Sequence, residues 1–358
     1  MIRMDKRWSE LAEILIRYST EVKPSERVMI AMSEAETFPL CQAVYEEAVK
    51  AGAYPQVQFL SETLRHALMN YGSGEQIAWF PEIEAYGMEW ADVYIGLRGG
   101  YDLDIHSDIP VEVLAANQAA MGKVSALRWE KTRWVLVRVP NEAFARQTGS
   151  SLNKVMDMFF DACLIDWNKQ AAVLKDLTRK LEKGTQVRIQ AEGTDLRFSV
   201  KGRRWLAGDG TMNMPDGEIS TAPVESTLDG FITFDFPGVL SGRLMHGIRL
   251  EWEEGRLIEA RSDTNQDFLR RIVRTDPGAG LLGEFAFGMN PAIDLFCKDI
   301  LFDEKIGGTI HVAMGRAYPE CGGTNRSAIH LDIVKDTRKE GAVYLDGRKI
   351  FEKGLFLI

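Results

Sequence analysis

The chain has 358 residues, a net charge of -9, 45% apolar residues and 27% charged residues. These values fit a soluble globular protein with a full core, and the length fits about two domains at roughly 150 residues each. The acidic balance without a basic cluster argues against a nucleic-acid binder that neutralises phosphates, and no apolar run approaches the roughly 18 residues that a membrane span needs.

The first ten residues lack the apolar centre of a secretion signal. They open an amphipathic helix instead, with Trp8, Leu11, Ile14, Leu15 and Tyr18 at helical spacing. Strands are predicted at Arg27–Met32, Gln56–Leu60, Asp92–Leu97 and Arg133–Arg138, with helices between them at about Thr37–Ala51 and Val111–Ala119. Strands alternating with helix-length segments imply βαβ units and a parallel sheet with right-handed crossovers. This sheet carries no Gly-x-Gly-x-x-Gly and no phosphate loop, so nucleotide binding has no support. A helical connector is expected from about Ser151 to Lys183. After Gly184 the texture changes to short alternating strands, beginning with a hairpin of Val187–Gln190 and Leu196–Val200. The predicted fold class is therefore α/β: an N-terminal parallel-sheet domain with its helical connector over 1–183, then an α+β, strand-rich metal-binding domain over 184–358. Four cysteines (Cys41, Cys163, Cys297 and Cys321) show no paired spacing, which excludes a zinc finger and points to the reducing cytoplasm.

The densest chemistry lies near the end. In Gly-Gly-Thr-Ile-His311-Val-Ala-Met, residues Thr309, His311 and Ala313 oppose Ile310, Val312 and Met314. In Ser-Ala-Ile-His330-Leu-Asp332, His330 and Asp332 oppose Ile329, Leu331 and Ile333. Residues two apart on a strand share a face, so two adjacent strands would join two imidazoles and a carboxylate. Alone, His311 also reads as a satisfied core histidine. The other histidines carry weaker signals: His66 reads as solvated, His106 as a turn or metal residue in an acidic loop, and His246 as a core or loop residue. Two further acids stand out. Glu218 follows the tight Asn-Met-Pro-Asp-Gly217 loop, and Glu284 is a lone acid in Leu-Leu-Gly-Glu-Phe-Ala-Phe-Gly, where a carboxylate must be paired, protonated or bound to a cation. Three carboxylates and two imidazoles exceed the needs of one tetrahedral zinc. They suit two divalent ions roughly 3.5–4 Å apart, with Zn, Co or Mn favoured by hard O and N ligands.

In this order, Asn-Met-Pro-Asp-Gly-Glu218, Gly-Glu284-Phe-Ala-Phe-Gly-Met-Asn, Asp-Glu-Lys-Ile-Gly-Gly-Thr-Ile-His311, Gly-Arg-Ala-Tyr318-Pro-Glu and His330-Leu-Asp332 resemble the M29 metallopeptidases, the aminopeptidase T and aminopeptidase S group. The resemblance implies a cytoplasmic, homodimeric two-metal aminopeptidase acting on peptides. It makes Glu218, Glu284, His311, His330 and Asp332 the metal ligands and matches Tyr318 to the family tyrosine at the metal centre, where its hydroxyl is expected to stabilise the oxyanion. Eleven residues separate Tyr318 from His330, fewer than in those aminopeptidases, and the loop includes Cys321-Gly-Gly323. A reshaped substrate pocket and a thiol near the metals are expected from it. Candidate general bases are Glu304, Glu320 and Glu225, although Glu304 reads first as a solvated loop acid. The fold also resembles the iron-dependent 2,5-dihydroxypyridine dioxygenases, in which His311, His330 and Asp332 would form a one-iron site. Glu218 and Glu284 favour two metals.

Overall fold

The computed structural model describes residues 5–128, 131–240 and 242–358; residues 1–4, part of the segment read as free of an export signal, lie outside them. Two compact units are formed, one of residues 1–165 with 210–215, the other of 166–209 with 216–358. Among the described residues no helix is long and apolar enough to cross a membrane.

The first unit is built on a parallel sheet in the order Tyr54–Leu60, Arg27–Ser33, Val93–Gly99, Arg133–Val139 and Asn213–Met214. The predicted strands are all present. Val28 to Met32 are buried without alternation, as a central strand covered on both faces requires. The helices Phe38–Lys50, Glu62–Tyr71, Glu82–Trp90 and Val111–Ala126 fill the crossovers. Ser61 starts one of them by accepting from the Thr63 N–H. Arg27 and Asp92, at the starts of two neighbouring strands, form a forked ion pair at 2.8 Å. The N-terminal helix Lys6–Glu13 buries Trp8 and Leu11, and Trp8 meets Phe160 edge-on at 4.6 Å.

The second unit holds two antiparallel sheets. Eight strands run in the order Arg256–Arg261, Arg249–Glu253, Asp229–Thr233, Thr194–Ser199, Gln186–Ala191, Ala342–Leu345, Arg348–Glu352 and Leu355–Phe356. The predicted hairpin sits at its centre, turning at Glu192-Gly193 with Gly193 at φ +61°. Five strands form the other sheet, in the order His330–Asp336, Thr309–Gly315, Leu282–Gly288, Glu218–Thr221 and Leu206–Gly208. Their apolar sides join one core: Phe285, Phe287, Ile310, Val312, Met314, Leu331 and Ile333 pack with Ile189, Leu196 and Phe198 of the larger sheet. Phe285 lies edge-on to Phe198 at 5.3 Å and to Phe287 at 5.0 Å. The helix Trp167–Leu181, read from sequence as connector, contributes Leu174, Leu177 and Leu181 to this same core. Because one face of the five-stranded sheet is committed to the core, its alternate residues must all project from the other face.

Candidate metal centre

That other face carries the expected acids and imidazoles. Gly315 pairs with His330 and Ala313 with Asp332 across two neighbouring strands. On the far side Ala313 pairs with Glu284 and Ala286 with His311. Glu218 pairs with Gly288 on the next strand. Small residues therefore separate the large polar ones: Ala313 lies between Glu284 and Asp332, and its single methyl lets both carboxylates lean together. All five residues singled out in the sequence meet on this face.

The contacts are close. His330 Nε2 lies 3.2 Å from Glu284 Oε2 and 3.3 Å from Asp332 Oδ1, and His311 Nε2 lies 3.7 Å from Glu218 Oε2. The other ring nitrogen of His330 donates to the Arg316 carbonyl at 2.7 Å, which turns Nε2 toward the acids. An imidazole oriented by a backbone carbonyl is the arrangement metal-binding histidines use. Burial opposes the charged form of His330, but Asp332 and Glu284 outweigh it and push its pKa up to about 11. Burial would likewise raise Asp332; the neighbouring His330 charge instead holds it below the usual carboxylate range.

Two residues join the group that the strand pattern did not reveal. Glu304 and Lys305 lie in a turn after the short helix Ile300–Asp303. Glu304 is not the solvated loop acid expected of it: its side chain is only 13% exposed, and burial pushes its pKa well above the usual range against the pull of Lys305. The Lys305 ammonium is fully buried, 3.2 Å from Glu218, 3.9 Å from Asp216 and in contact with Glu304. Those carboxylates outweigh burial and hold it protonated. The turn reaches this position because residue 288 is glycine. A Cβ there would stand 2.1 Å from the Ile306 carbonyl oxygen, too close for any other residue. No periodicity announces a turn residue; the available signal was a lysine and two acids, Asp303-Glu304-Lys305, directly before the histidine strand.

The remaining candidates fall elsewhere. Glu225 braces the loop before His330: it pairs with Arg203 at 2.8 Å and accepts from the Thr324 and Asn325 N–H groups at 3.2 and 3.0 Å. Glu320 and His246 are exposed. Cys321 packs with Ala222 and Ala317, and burial pushes its thiol up to about 12, so it stays neutral. In the first unit His106 pairs with Glu62 at 2.8 Å and His66, expected to be solvated, pairs with Asp108 at 2.9 Å, and the two rings stack at 5.8 Å. The Tyr318 ring stands edge-on to His330 at 5.1 Å. Burial and then the charges of Glu284 and Asp332 raise its phenol, which keeps the proton it would donate.

Two sets of ligand atoms converge closely enough for a cation, one from Glu218, Glu304 and His311, the other from Glu284, His311 and Asp332. The chemistry of the set fits divalent ions. Glu218 Oε2 and both ring nitrogens of His311 are buried without a hydrogen-bond partner among the described residues. Each such orphan costs about 1–3 kcal/mol, and a bound cation removes the cost for the acceptors among them. His311 is thus no satisfied core histidine.

Known proteins resemble the chain over almost its whole length. The profile of the family described as thermophilic metalloprotease (M29) matches residues 4–356. Aminopeptidase 2 of Geobacillus stearothermophilus is 23% identical over 414 aligned positions, covering 99% of this chain and 98% of its own length. Aminopeptidase T of Thermus thermophilus is 25% identical, with 95% of each chain covered. The solved structure of wild-type AmpT from Thermus thermophilus superposes with a TM-score of 0.89 at 24% identity over 99% of both chains, which shows a shared fold.

Proposed function

The chain belongs to the M29 family of metallopeptidases, and from that premise we propose that it is an aminopeptidase that removes N-terminal residues from peptides using two divalent ions, Zn, Co or Mn. The observation that carries this reading is the convergence of Glu218, Glu284, Glu304, Asp332, His311 and His330 on one small patch of sheet. Lys305 is a counter-charge for Glu218 and Glu304, but a single ion held by His311, His330 and Asp332 would take His330 away from the buried Glu284 and leave that acid without one, and buried charges are paired or bound to metal. For the same reason the one-iron dioxygenase reading is not favoured, since it spends only three of these six groups.

In this reading Glu218, Glu284, His311, His330 and Asp332 hold the ions, which supply a nucleophilic water at neutral pH, polarise the scissile carbonyl and anchor the free amine. The side chains around them do the rest. Tyr318, neutral and beside His330, donates its hydroxyl proton in a hydrogen bond to the developing oxyanion. Glu304, a carboxyl tuned upward by burial, takes the proton of the attacking water and returns it to the leaving amine. His330 keeps its aim through the Arg316 carbonyl.

The test is a panel of aminoacyl chromogenic substrates with Zn, Co, Mn and Fe(II) supplied in turn, alongside metal analysis of the purified protein. Release of free amino acid with two equivalents of Zn, Co or Mn is the expected result; one equivalent of iron with no peptidase activity overturns the proposal. Tyr318→Phe is expected to lower kcat by roughly 10²-fold with little change in KM, as for the loss of one oxyanion donor. An unchanged kcat reduces Tyr318 to a packing role.

Among the described residues the four cysteines are all buried and form no disulfide, which supports a cytoplasmic location. A homodimer is part of the same proposal, and light scattering after gel filtration tests it.

A further inference from the structure

A patch built to hold cations already contains one that belongs to the chain. Lys305 is not a mobile surface lysine reaching inward. Its N–H donates to the Phe302 carbonyl, and its own carbonyl accepts from the Asn290 N–H, both at 3.0 Å. The ammonium has no exposed surface and is surrounded by Glu218, Glu304 and Asp216. Its main chain is thus held by hydrogen bonds and its ammonium by carboxylates.

The two sets of ligand atoms differ in this respect. In the set of Glu218, Glu304 and His311, both carboxylates already bond the ammonium through Oε1. Each has one oxygen left, and Glu218 Oε2, 3.7 Å from His311 Nε2, is buried without a hydrogen-bond partner among the described residues. In the set of Glu284, His311 and Asp332, the carboxylates lie beside His330, itself a candidate ligand, and not beside the lysine, and Asp332 Oδ1 is likewise buried without a hydrogen-bond partner among the described residues. One position thus shares its acids with a permanent positive charge, and the other does not.

We propose that Lys305 is a positioning residue that makes the two metal positions unequal: the ion at Glu284, His330 and Asp332 binds first and tightly, and the ion at Glu218 and His311, beside Glu304, binds second and reversibly. The lysine acts twice. By holding Glu218 Oε1 it leaves Glu218 Oε2 turned toward His311 and the second position, and by its charge it weakens that position, since like charges a few ångströms apart in a buried site repel strongly. Enzyme occupancy at the second position then follows the free metal concentration. This inference rests on the two-metal reading of the site.

The experiment is a calorimetric titration of the metal-stripped, full-length protein with Co²⁺, with visible absorption recorded in parallel to follow the coordination of each ion. Wild type is expected to bind in two steps with dissociation constants at least roughly tenfold apart. Glu218→Gln is expected to remove the weak step alone. Lys305→Met is expected to tighten the weak step by roughly tenfold or more while leaving the tight one within about threefold, and Lys305→Arg to restore two unequal steps. A lysine that merely supported the fold would not tighten anything when removed. Two steps of equal affinity in wild type, loss of the tight step in Glu218→Gln, or a weakened second step in a folded Lys305→Met overturns the inference while the two-metal reading stands. No stoichiometric binding at all overturns the reading beneath it. If Lys305→Met does not fold, the wild-type and Glu218→Gln titrations decide the matter.

Discussion

Replacing His330 with Ala is expected to strip the protein of its metal and of its activity together. The argument is electrostatic as well as structural. His330 stands between Glu284 and Asp332, at 3.2 and 3.3 Å, and both acids are almost completely buried. Truncation removes one nitrogen ligand and leaves two carboxylates facing each other across the space Ala313 leaves open. Even loss of a partner that merely orients a ligand costs about 10–100-fold in metal affinity, so loss of the ligand itself is expected to cost more, and purified His330→Ala is expected to retain under one equivalent. Removing one member of a buried charged group also destabilises a protein by about 3–5 kcal/mol, so the metal-free variant is expected to melt at lower temperature than metal-free wild type. Metal analysis, a thermal melt and an activity assay check the three effects. His246→Ala, at an exposed histidine, is the control that should change none of them. Full metal content and normal turnover in His330→Ala end the claim that this histidine is a ligand.

The two strands that carry this histidine and its neighbour are readable from the amino acids because their pattern is simple. Ile310, Val312 and Met314 on one strand and Leu331 and Ile333 on the other mark the core side, and strand alternation then gives the direction of His311, His330 and Asp332. Glu284 is readable for the opposite reason, as a charge where the pattern demands an apolar residue. The parallel sheet of the first unit is legible from strand and helix alternation, but its order is not: Val93–Gly99 pairs with Arg27–Ser33 instead of with Tyr54–Leu60, and the fifth strand, Asn213–Met214, comes from far along the chain. What sequence could not supply was the meeting of elements far apart in the chain. Glu304 looks like any loop acid until the close approach of Ile306 to Gly288 carries its turn against Glu218. Lys305 gave no sign of burial, because a lysine is found inside only when acids surround it, and one of those acids, Glu218, is eighty-seven positions away. Glu225 misled in the other direction: its carboxylate is used up by Arg203 and the backbone of Thr324 and Asn325.

Glu304→Gln is expected to lower kcat by about 10²–10⁴-fold, the range for removing a general base, with both metals still bound. The substitution keeps the shape of the side chain and one carbonyl oxygen, so the turn that ends the Ile300–Asp303 helix stays in place. It removes the ability to accept a proton. Glu304 suits that task for two reasons seen in the geometry. It is close enough to share a cation with Glu218 and His311, which places it beside any water held there. Burial raises its pKa and Lys305 opposes that rise, and a base works best when its pKa approaches the working pH. The sign of the pH effect follows. A base acts in its ionised form, so kcat/KM in wild type rises with pH as Glu304 loses its proton, and this limb is expected to disappear in the Gln variant. The limb lies above the pH at which an ordinary exposed glutamate ionises, because burial shifts the folded-state pKa upward. Metal analysis separates this role from ligation. If Glu304→Gln loses an equivalent of metal, the residue is a ligand first, and the activity loss says nothing about proton transfer. If it keeps both ions and turns over within a few-fold of wild type, another group carries the proton, and the burial of Glu304 serves only to balance Lys305.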